Sequence, residues 1–183
     1  NVANGGLTNA ASNQYGFYLE GPVSEVTSVD GVISITANGG PNSTGFSPGI
    51  LMNLGDIKST GLGDVIIVAN GSTGTGNANQ GIFAINAMIK SHDGDINLTA
   101  TGGGSLNAAQ NAGLFFDDGS SIVSDGIGNI LINANGGNSN GGSNAGIVMS
   151  GTSGGIFTTS GNIDIMATGH GAGTGAGNTG LTL

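Results

Sequence analysis

Apolar and polar residues alternate over short stretches of this chain, and one such stretch returns at a nearly constant interval. The segment "GDINLTATG" from Gly94 is written again as "GNILINANG" from Gly128 and "GNIDIMATG" from Gly161. Its general form is G-x-[IV]-x-[IL]-x-A-[NT]-G, with copies beginning at Gly31, Gly63, Gly94, Gly128 and Gly161. Alternation with a period of two, rich in Ile and Val, is typical of a β-strand. The copies lie 31 to 34 residues apart, which indicates a tandem repeat.

Two further apolar runs keep the same spacing. One begins with a glycine, 12 or 13 residues after the alanine of each copy, and the other has the form apolar-x-[ST] just before the next copy. The second runs start at Gly16, Gly49, Gly81, Gly113, Gly146 and Gly180, and the third at Val26, Ile57, Ile89, Ile122 and Ile156. Each repeat therefore predicts three short strands. Because so short a repeat cannot bury an apolar face alone, the copies must stack on one another.

Stacked repeats of this kind predict an all-β fold, a parallel β-helix (β-solenoid) with a parallel sheet on each of three sides. We expect a right-handed coil of about 5.5 turns, each of 31 to 34 residues. Residues 1–183 are interpreted as one β-solenoid segment. The sequence begins and ends within a repeat and offers no polar capping repeat, so we interpret it as part of a longer repeat protein.

The end of the first strand carries a recurrent polar residue followed by glycine. Asn and Gly tolerate positive φ, so this position is predicted to turn a corner of the coil. Stacking would also let the side chains hydrogen-bond along the coil axis. The predicted corner ladder contains Asn4, Asn38, Asn70, Thr101, Asn135 and Thr168.

The second strand breaks the alternation, because three apolar residues follow its glycine. If Phe17, Ile50, Ile82, Leu114 and Ile147 face the core, an apolar stripe faces outward. That predicted interaction stripe contains Tyr18, Leu51, Phe83, Phe115 and Val148. Apolar strands of this kind are normally covered on both faces. The preceding loops are rich in Gly, Asn and Ser and offer little apolar surface, so we favour a neighbouring rod or partner domain as the cover.

Composition and charge exclude several functions. The 183 residues include 39 Gly, no Cys and no Trp, and only 7% of residues are charged. Without cysteine there is no disulfide, no thiolate metal site and no thiol redox chemistry. The net charge is −9 and the chain has no Arg, so nucleic-acid binding is not expected. No run is apolar enough for membrane insertion of this segment, and no cofactor is expected.

Three groups of side chains are candidates for chemistry. Asp117 and Asp118 could pair as glycosidase carboxylates with His170, although turn carboxylates are the simpler interpretation. Asp93 and Asp95 could hold Ca²⁺ together with backbone carbonyls, but the recurrent Asp of calcium-binding repeats is missing. In both cases the structural interpretation is favoured, so we predict no catalytic and no metal-binding residue.

Both lysines occupy the same position in successive repeats. Lys58 and Lys90 each follow an inward isoleucine of the third strand. They could form a binding column, or they could offset repulsion between nearby Asp residues. His92, two residues after Lys90, is interpreted as a turn residue.

The repeated segments "GNILINANGG" and "GNIDIMATG", with a Gly, Asn, Ser and Thr bias and no Cys, resemble a known type of protein. They are similar to the β-helical stalks of filamentous haemagglutinin-like adhesins and autotransporter passengers. The repeat here, 31 to 34 residues, is longer than the coil of about twenty residues in haemagglutinin repeats. The resemblance implies export across an outer membrane, an extracellular or cell-surface location and a role in attachment.

Two functions of different classes follow from the sequence. The first is a structural stalk or adhesive segment, whose partners are neighbouring domains, surface glycans or a host surface. The second is a self-assembling extracellular fibre whose rods pack end to end or laterally. A polysaccharide-acting enzyme is the third and weakest interpretation.

Overall fold

The computed structural model describes residues 2–4, 12–41, 43–170 and 175–183, with the backbone alone for 2–4. These residues form seventeen short β-strands, β1 to β17 in chain order, and no helix. The first sheet contains β1 (Val2–Asn4), β4 (Ile33–Asn38), β7 (Val65–Asn70), β10 (Ile96–Thr101), β13 (Ile130–Asn135) and β16 (Ile163–Thr168).

Two further sheets complete the coil. The second contains β2 (Phe17–Glu20), β5 (Ile50–Asn53), β8 (Ile82–Ile85), β11 (Leu114–Asp117), β14 (Ile147–Met149) and β17 (Leu181–Thr182). The third contains β3 (Glu25–Ser28), β6 (Asp56–Ser59), β9 (Met88–Ser91), β12 (Ser121–Ser124) and β15 (Gly155–Thr158). The strands within each sheet pair in parallel, so the predicted β-solenoid is confirmed, with about five turns of about 33 residues.

Like residues stack on like residues because the strands are in register. Ile96 pairs with Ile130 and Ala100 pairs with Ala134 between β10 and β13. The alternation of the first strand turns Ile96, Leu98 and Ala100 into the core, where all three are buried. The apolar faces of the three sheets fill the coil, and the small alanine at the end of each first strand fits the narrow corner.

The first residue of each second strand faces the core, which is the orientation that the predicted stripe requires. Ile50, Ile82, Leu114 and Ile147 form one column that is fully buried. Two residues further along each strand, the buried side chains of Met52, Ala84 and Phe116 form a second inward column. The residues between these columns therefore face outward, and they are the predicted stripe.

The corner after the first strand is made without positive φ at its asparagines. Asn38, Asn70 and Asn135 end strands, and none of them has positive φ, so only the positive-φ part of the prediction is wrong. The following glycine is required for space, because a Cβ on Gly102 would lie 1.9 Å from the backbone oxygen of Asn111. Positive φ instead marks the corner between the second and third strands, at Gly21, Leu54, Asn86, Asp118 and Gly151.

Candidate interaction surface and side-chain ladders

The predicted interaction stripe is a continuous column on the outer face of the second sheet. Tyr18 pairs with Leu51, Leu51 with Phe83, Phe83 with Phe115 and Phe115 with Val148. Exposure varies along the stripe, since Tyr18 is 43% exposed whereas Leu51 is only 6% exposed. Phe83, Phe115 and Val148 are half-buried.

Two aromatic side chains from the preceding loops lie against this stripe. The ring of Tyr15 lies 5.1 Å from that of Tyr18, and Phe46 lies 5.7 Å from Tyr15. Phe46 also contacts Phe83 edge to face at 5.5 Å, and so spans the level of Leu51. The loops therefore supply more apolar surface than their composition suggests. At Leu51 the cover comes from the chain itself.

The aromatic row ends at Phe115, whose ring lies 5.3 Å from that of Phe83. Beyond it, the loops contribute small residues, and a groove of about 260 Å³ opens beside Val148. Its lining is uncharged: Gln110, Phe115, Ser143, Ala145, Val148, Gly177, Thr179 and Thr182. The stripe thus has a ring-bearing end and a grooved end.

The predicted corner ladder is present as a column of paired residues on the first sheet. Backbone pairing places Asn4 beside Asn38, Asn38 beside Asn70, and Thr101 between Asn70 and Asn135. The side-chain amide of Asn70 donates to Asn38 Oδ1 at 2.9 Å. Asn135 instead donates to Asn133 Oδ1 of its own strand at 3.1 Å. The remaining member, Thr168, is exposed beside Asn135. We call this column the outer ladder.

A second asparagine column lies inside the coil, and the sequence analysis missed it. The amide N–H of Asn79 donates to Asn111 Oδ1 at 2.9 Å, that of Asn111 to Asn144 Oδ1 at 3.2 Å, and that of Asn144 to Asn178 Oδ1 at 2.9 Å. Asn79, Asn111 and Asn144 are fully buried. We call these four residues the inner ladder. Its signal was available, because each asparagine stands two residues before the glycine that begins a second strand.

The candidate glycosidase carboxylates are held in a turn. Asp117 Oδ1 accepts hydrogen bonds from the Ser150 hydroxyl at 2.5 Å and from the Asp118 backbone N–H at 3.0 Å. Asp118 occupies the corner that requires positive φ, with φ of 47°. His170 follows β16, two coils beyond β10 and at a different corner. The structure therefore does not bring the three residues together.

The candidate calcium ligands also contact the backbone of the next coil. Asp95 Oδ1 accepts from the N–H of Asn129 at 2.7 Å, and Asp93 Oδ1 accepts from the N–H of Ile127 at 3.2 Å. Among the described residues, no three His, Cys, Asp or Glu side chains are grouped so that they could hold a metal ion. That described part of the chain also contains no helix long and apolar enough to cross a membrane.

The two lysines pair with carboxylates on the outer face of the third sheet. Lys58 contacts Glu25 at 2.7 Å and Asp56 at 2.9 Å. Lys90 contacts Asp125 at 2.5 Å. Both lysines therefore offset the charge of nearby carboxylates, which is the second of the two roles considered for them.

A histidine joins the second of these clusters. His92 lies in the bend after β9, and its Nδ1 is 2.7 Å from Asp125 Oδ1. This hydrogen bond, together with the nearby Asp93 carboxylate, raises the pKa of His92. The hydrogen bonds from Lys90 and His92 lower the pKa of Asp125.

Comparison of the chain with protein-family models, curated proteins and solved structures gives no match. The structure supports the β-solenoid architecture, and no match supports a haemagglutinin-like or autotransporter family.

Proposed function

We propose that this segment is a structural stalk in a large secreted or surface-displayed bacterial protein that acts in attachment, and that it has no enzymatic activity. One observation carries the proposal: side-chain ladders and three sheets connect successive coils, and the acidic candidates Asp117, Asp93 and Asp95 are engaged in these connections. Such a coil is stiff, because bending it requires distortion of parallel sheets on three sides. The extracellular location in this proposal is what the resemblance to bacterial surface stalks implies.

The stalk proposal is tested by separating the fold from the outer surface. Ile132→Asp places a carboxylate in the fully buried core and should abolish cooperative melting and attachment by cells that display the protein. Leu131→Ser and Lys58→Ala change two outer faces and should leave attachment unchanged. Loss of attachment in an outer-face variant that melts like the parent would contradict a stalk and favour an adhesive segment.

The enzyme interpretation has its own test. The chain is incubated with a panel of acidic and neutral glycans, beside an Asp117→Asn/Asp118→Asn variant. We expect no cleavage by either protein. Cleavage by the parent that disappears in the variant would contradict the absence of activity.

A self-assembling fibre is the second candidate function. The observation that favours it is the half-buried stripe on the second sheet, with rings at one end and a groove at the other.

A further inference from the structure

We propose that Asn140 is a site of spontaneous deamidation, at which the coil gains a carboxylate while it stays folded. The side-chain amide of Asn140 is the group that reacts, and the backbone nitrogen of Gly141 is the nucleophile. Water is the only co-reactant. The proposal concerns a modification of the folded chain, so it is independent of the stalk function.

An asparagine followed by glycine offers the least steric hindrance to this reaction, because glycine has no side chain to shield its nitrogen. The glycine nitrogen loses its proton to base and bonds to the asparagine Cγ, and the Cγ–Nδ2 bond breaks to release ammonia. Water then opens the resulting succinimide ring at either carbonyl, which leaves aspartate or isoaspartate. The reaction therefore requires a glycine N–H that no acceptor holds in place.

Three of the four Asn-Gly pairs that the structure fully describes are protected by the stacking of the coils. Their asparagines, Asn38, Asn70 and Asn135, end first strands. In each pair the N–H of the following glycine donates to the next coil: to Asn70 O at 2.8 Å, to Thr101 O at 2.9 Å and to Thr168 O at 2.8 Å. Ring closure in these pairs must first break a hydrogen bond between coils.

The fourth pair, Asn140 and Gly141, has no such protection. Both residues lie in the bend between β13 and β14, where Asn140 is exposed and Gly141 is half-buried. Within the described part of the chain, the Gly141 N–H has no acceptor and the Asn140 side-chain amide has no hydrogen-bond partner. Neither reacting group therefore has to break a hydrogen bond before the ring closes.

Packing explains why glycine follows this exposed asparagine. A Cβ on Gly141 would lie 2.1 Å from the backbone oxygen of Ala108 in the preceding coil. Any larger residue would have to displace that backbone, which is costly in a closely packed stack. The contact between coils thus requires the same glycine that makes Asn140 reactive.

A second exposed asparagine in the same loop lacks this combination. Asn138 is followed by Ser139, whose side chain hinders attack on Asn138. The Ser139 N–H also donates to Gly137 O at 3.1 Å. Asn138 is therefore a control for exposure alone within the same peptide.

The product places a charge in a part of the coil that has none. None of the eleven Asp and Glu residues lies in the loops that join a first strand to a second strand. The new carboxylate is next to Ser139, whose hydroxyl accepts from the side chains of Asn111 at 3.4 Å and Asn144 at 3.1 Å. Deamidation of Asn140 therefore adds negative charge beside the inner ladder.

Comparison of the folded and the unfolded chain tests the proposal. The purified chain is incubated at mildly alkaline pH with and without concentrated urea, and its peptides are sequenced by mass spectrometry to locate each deamidated residue. In the folded chain, Asn140 should react about tenfold faster, or more, than Asn70 and Asn135, because the protected pairs react only during local opening. Asn138 should also lag behind Asn140. In urea, Asn70, Asn135 and Asn140 should react at similar rates.

An isoaspartate assay with a matched variant gives a second readout. Asn140→Gln blocks the reaction, because its longer side chain would have to close a larger ring, and it should melt like the parent since the side chain is exposed. A protein isoaspartate methyltransferase with labelled S-adenosylmethionine should label the aged parent strongly. Asn140→Gln aged beside it should lose most of this labelling.

Two results would overturn the proposal. One is a folded chain in which Asn140 reacts no faster than Asn70, although both react in urea. The other is equal labelling of the aged parent and of aged Asn140→Gln, which would place the modification at another residue.

Discussion

Asparagines stack in two columns of this coil, and the columns differ in burial and in bonding. In the outer ladder, Asn38 and Asn70 are half-buried, share one side-chain bond and give way to Thr101 in the next coil. In the inner ladder, Asn79 and Asn111 are fully buried, and the Asn111 side chain accepts from the backbone N–H of Asn79. A buried N–H without a partner costs far more than an exposed one, so the inner position constrains the residue type much more strongly.

Glycine connects the two columns. In the third full coil, Gly102 follows Thr101 of the outer ladder, and its α-carbon lies against the backbone oxygen of Asn111 in the inner ladder. Gly71 and Gly136 hold the same position against Asn79 and Asn144. The loop can reach the core only because this residue has no side chain.

Within this comparison, the largest effect is expected from filling that contact. Gly102→Ala places a Cβ 1.9 Å from the Asn111 backbone oxygen, and the backbone must move to relieve the clash. We expect a loss of about 3 kcal/mol or more in the free energy of unfolding, measured by urea denaturation. The matched control is Gly119→Ala, where the nearest atom would be 3.7 Å away and φ is +81°. That variant should lose only about 1 kcal/mol. Equal losses would contradict the close-contact explanation.

The second prediction separates the two ladders directly. Asn111→Ala leaves the buried N–H of Asn79 without its acceptor and should cost about 2 kcal/mol. Asn70→Ala removes one half-buried side-chain bond of the outer ladder and should cost less than about 0.5 kcal/mol. Both are measured by thermal or urea melting of the purified chain. A larger loss from Asn70→Ala would reverse the comparison.

The third prediction concerns the corner that does require positive φ. Leu54 has φ of 66° and is 40% exposed, whereas the equivalent residue in the next coil is Asn86. Leu54→Asn should stabilise the chain by about 1 kcal/mol, because asparagine tolerates this conformation better than leucine. The reverse change, Asn86→Leu, should destabilise it by a similar amount. Destabilisation by Leu54→Asn together with stabilisation by Asn86→Leu would show that side-chain contacts outweigh backbone conformation here.

The smallest effect is expected at the surface, where His92 bonds to Asp125 of the next coil. The hydrogen bond raises the pKa of His92 in the folded state, so its stabilising contribution is present below the ordinary histidine pKa of about 6.5. The contribution is lost as the pH rises through the raised value. In an NMR titration, Asp125→Asn should lower the pKa of His92.

Melting measures the same linkage. The difference between the parent and Asp125→Asn should be larger at pH 5 than at pH 8, while a His92→Gln background should remove this pH dependence. An unchanged His92 pKa in Asp125→Asn would contradict the pairing.

The strands could be predicted because their signals repeat. Every copy of the first strand has apolar residues at alternate positions, as Ile96, Leu98 and Ala100 do in one copy. Parallel stacking follows from the constant spacing of the copies. The same spacing predicted that Phe83 and Phe115 share one column, although their outward direction was only one of two orientations that the uninterrupted apolar run allowed. Each of these inferences depends on period and stacking, which the sequence contains explicitly.

The loops could not be predicted in the same way. Asn111 lies in a segment rich in Gly, Asn and Ala, where asparagine is usually a turn residue, so its burial was not foreseen. Leu54 turns a corner although leucine has no preference for positive φ. Phe46 is one ring in a polar loop, and only its position across the coil reveals that it packs between Tyr15 and Phe83. In each case contacts with the neighbouring coil determine the conformation or burial of the residue, and local composition does not predict those contacts.

The hydrogen bonds of the inner ladder all run in one direction along the chain, which has a consequence for the order of folding. The N–H of Asn79 is satisfied by the side chain of Asn111, and that of Asn111 by Asn144, so every bond runs from an earlier coil to a later one. When the coils form in order from the N-terminus, the buried asparagine N–H of each new coil therefore has no acceptor until the next coil has formed. In that order, each coil gains its last buried hydrogen bond only when the next coil forms. The most recently formed coil is therefore the least stable part of the molecule.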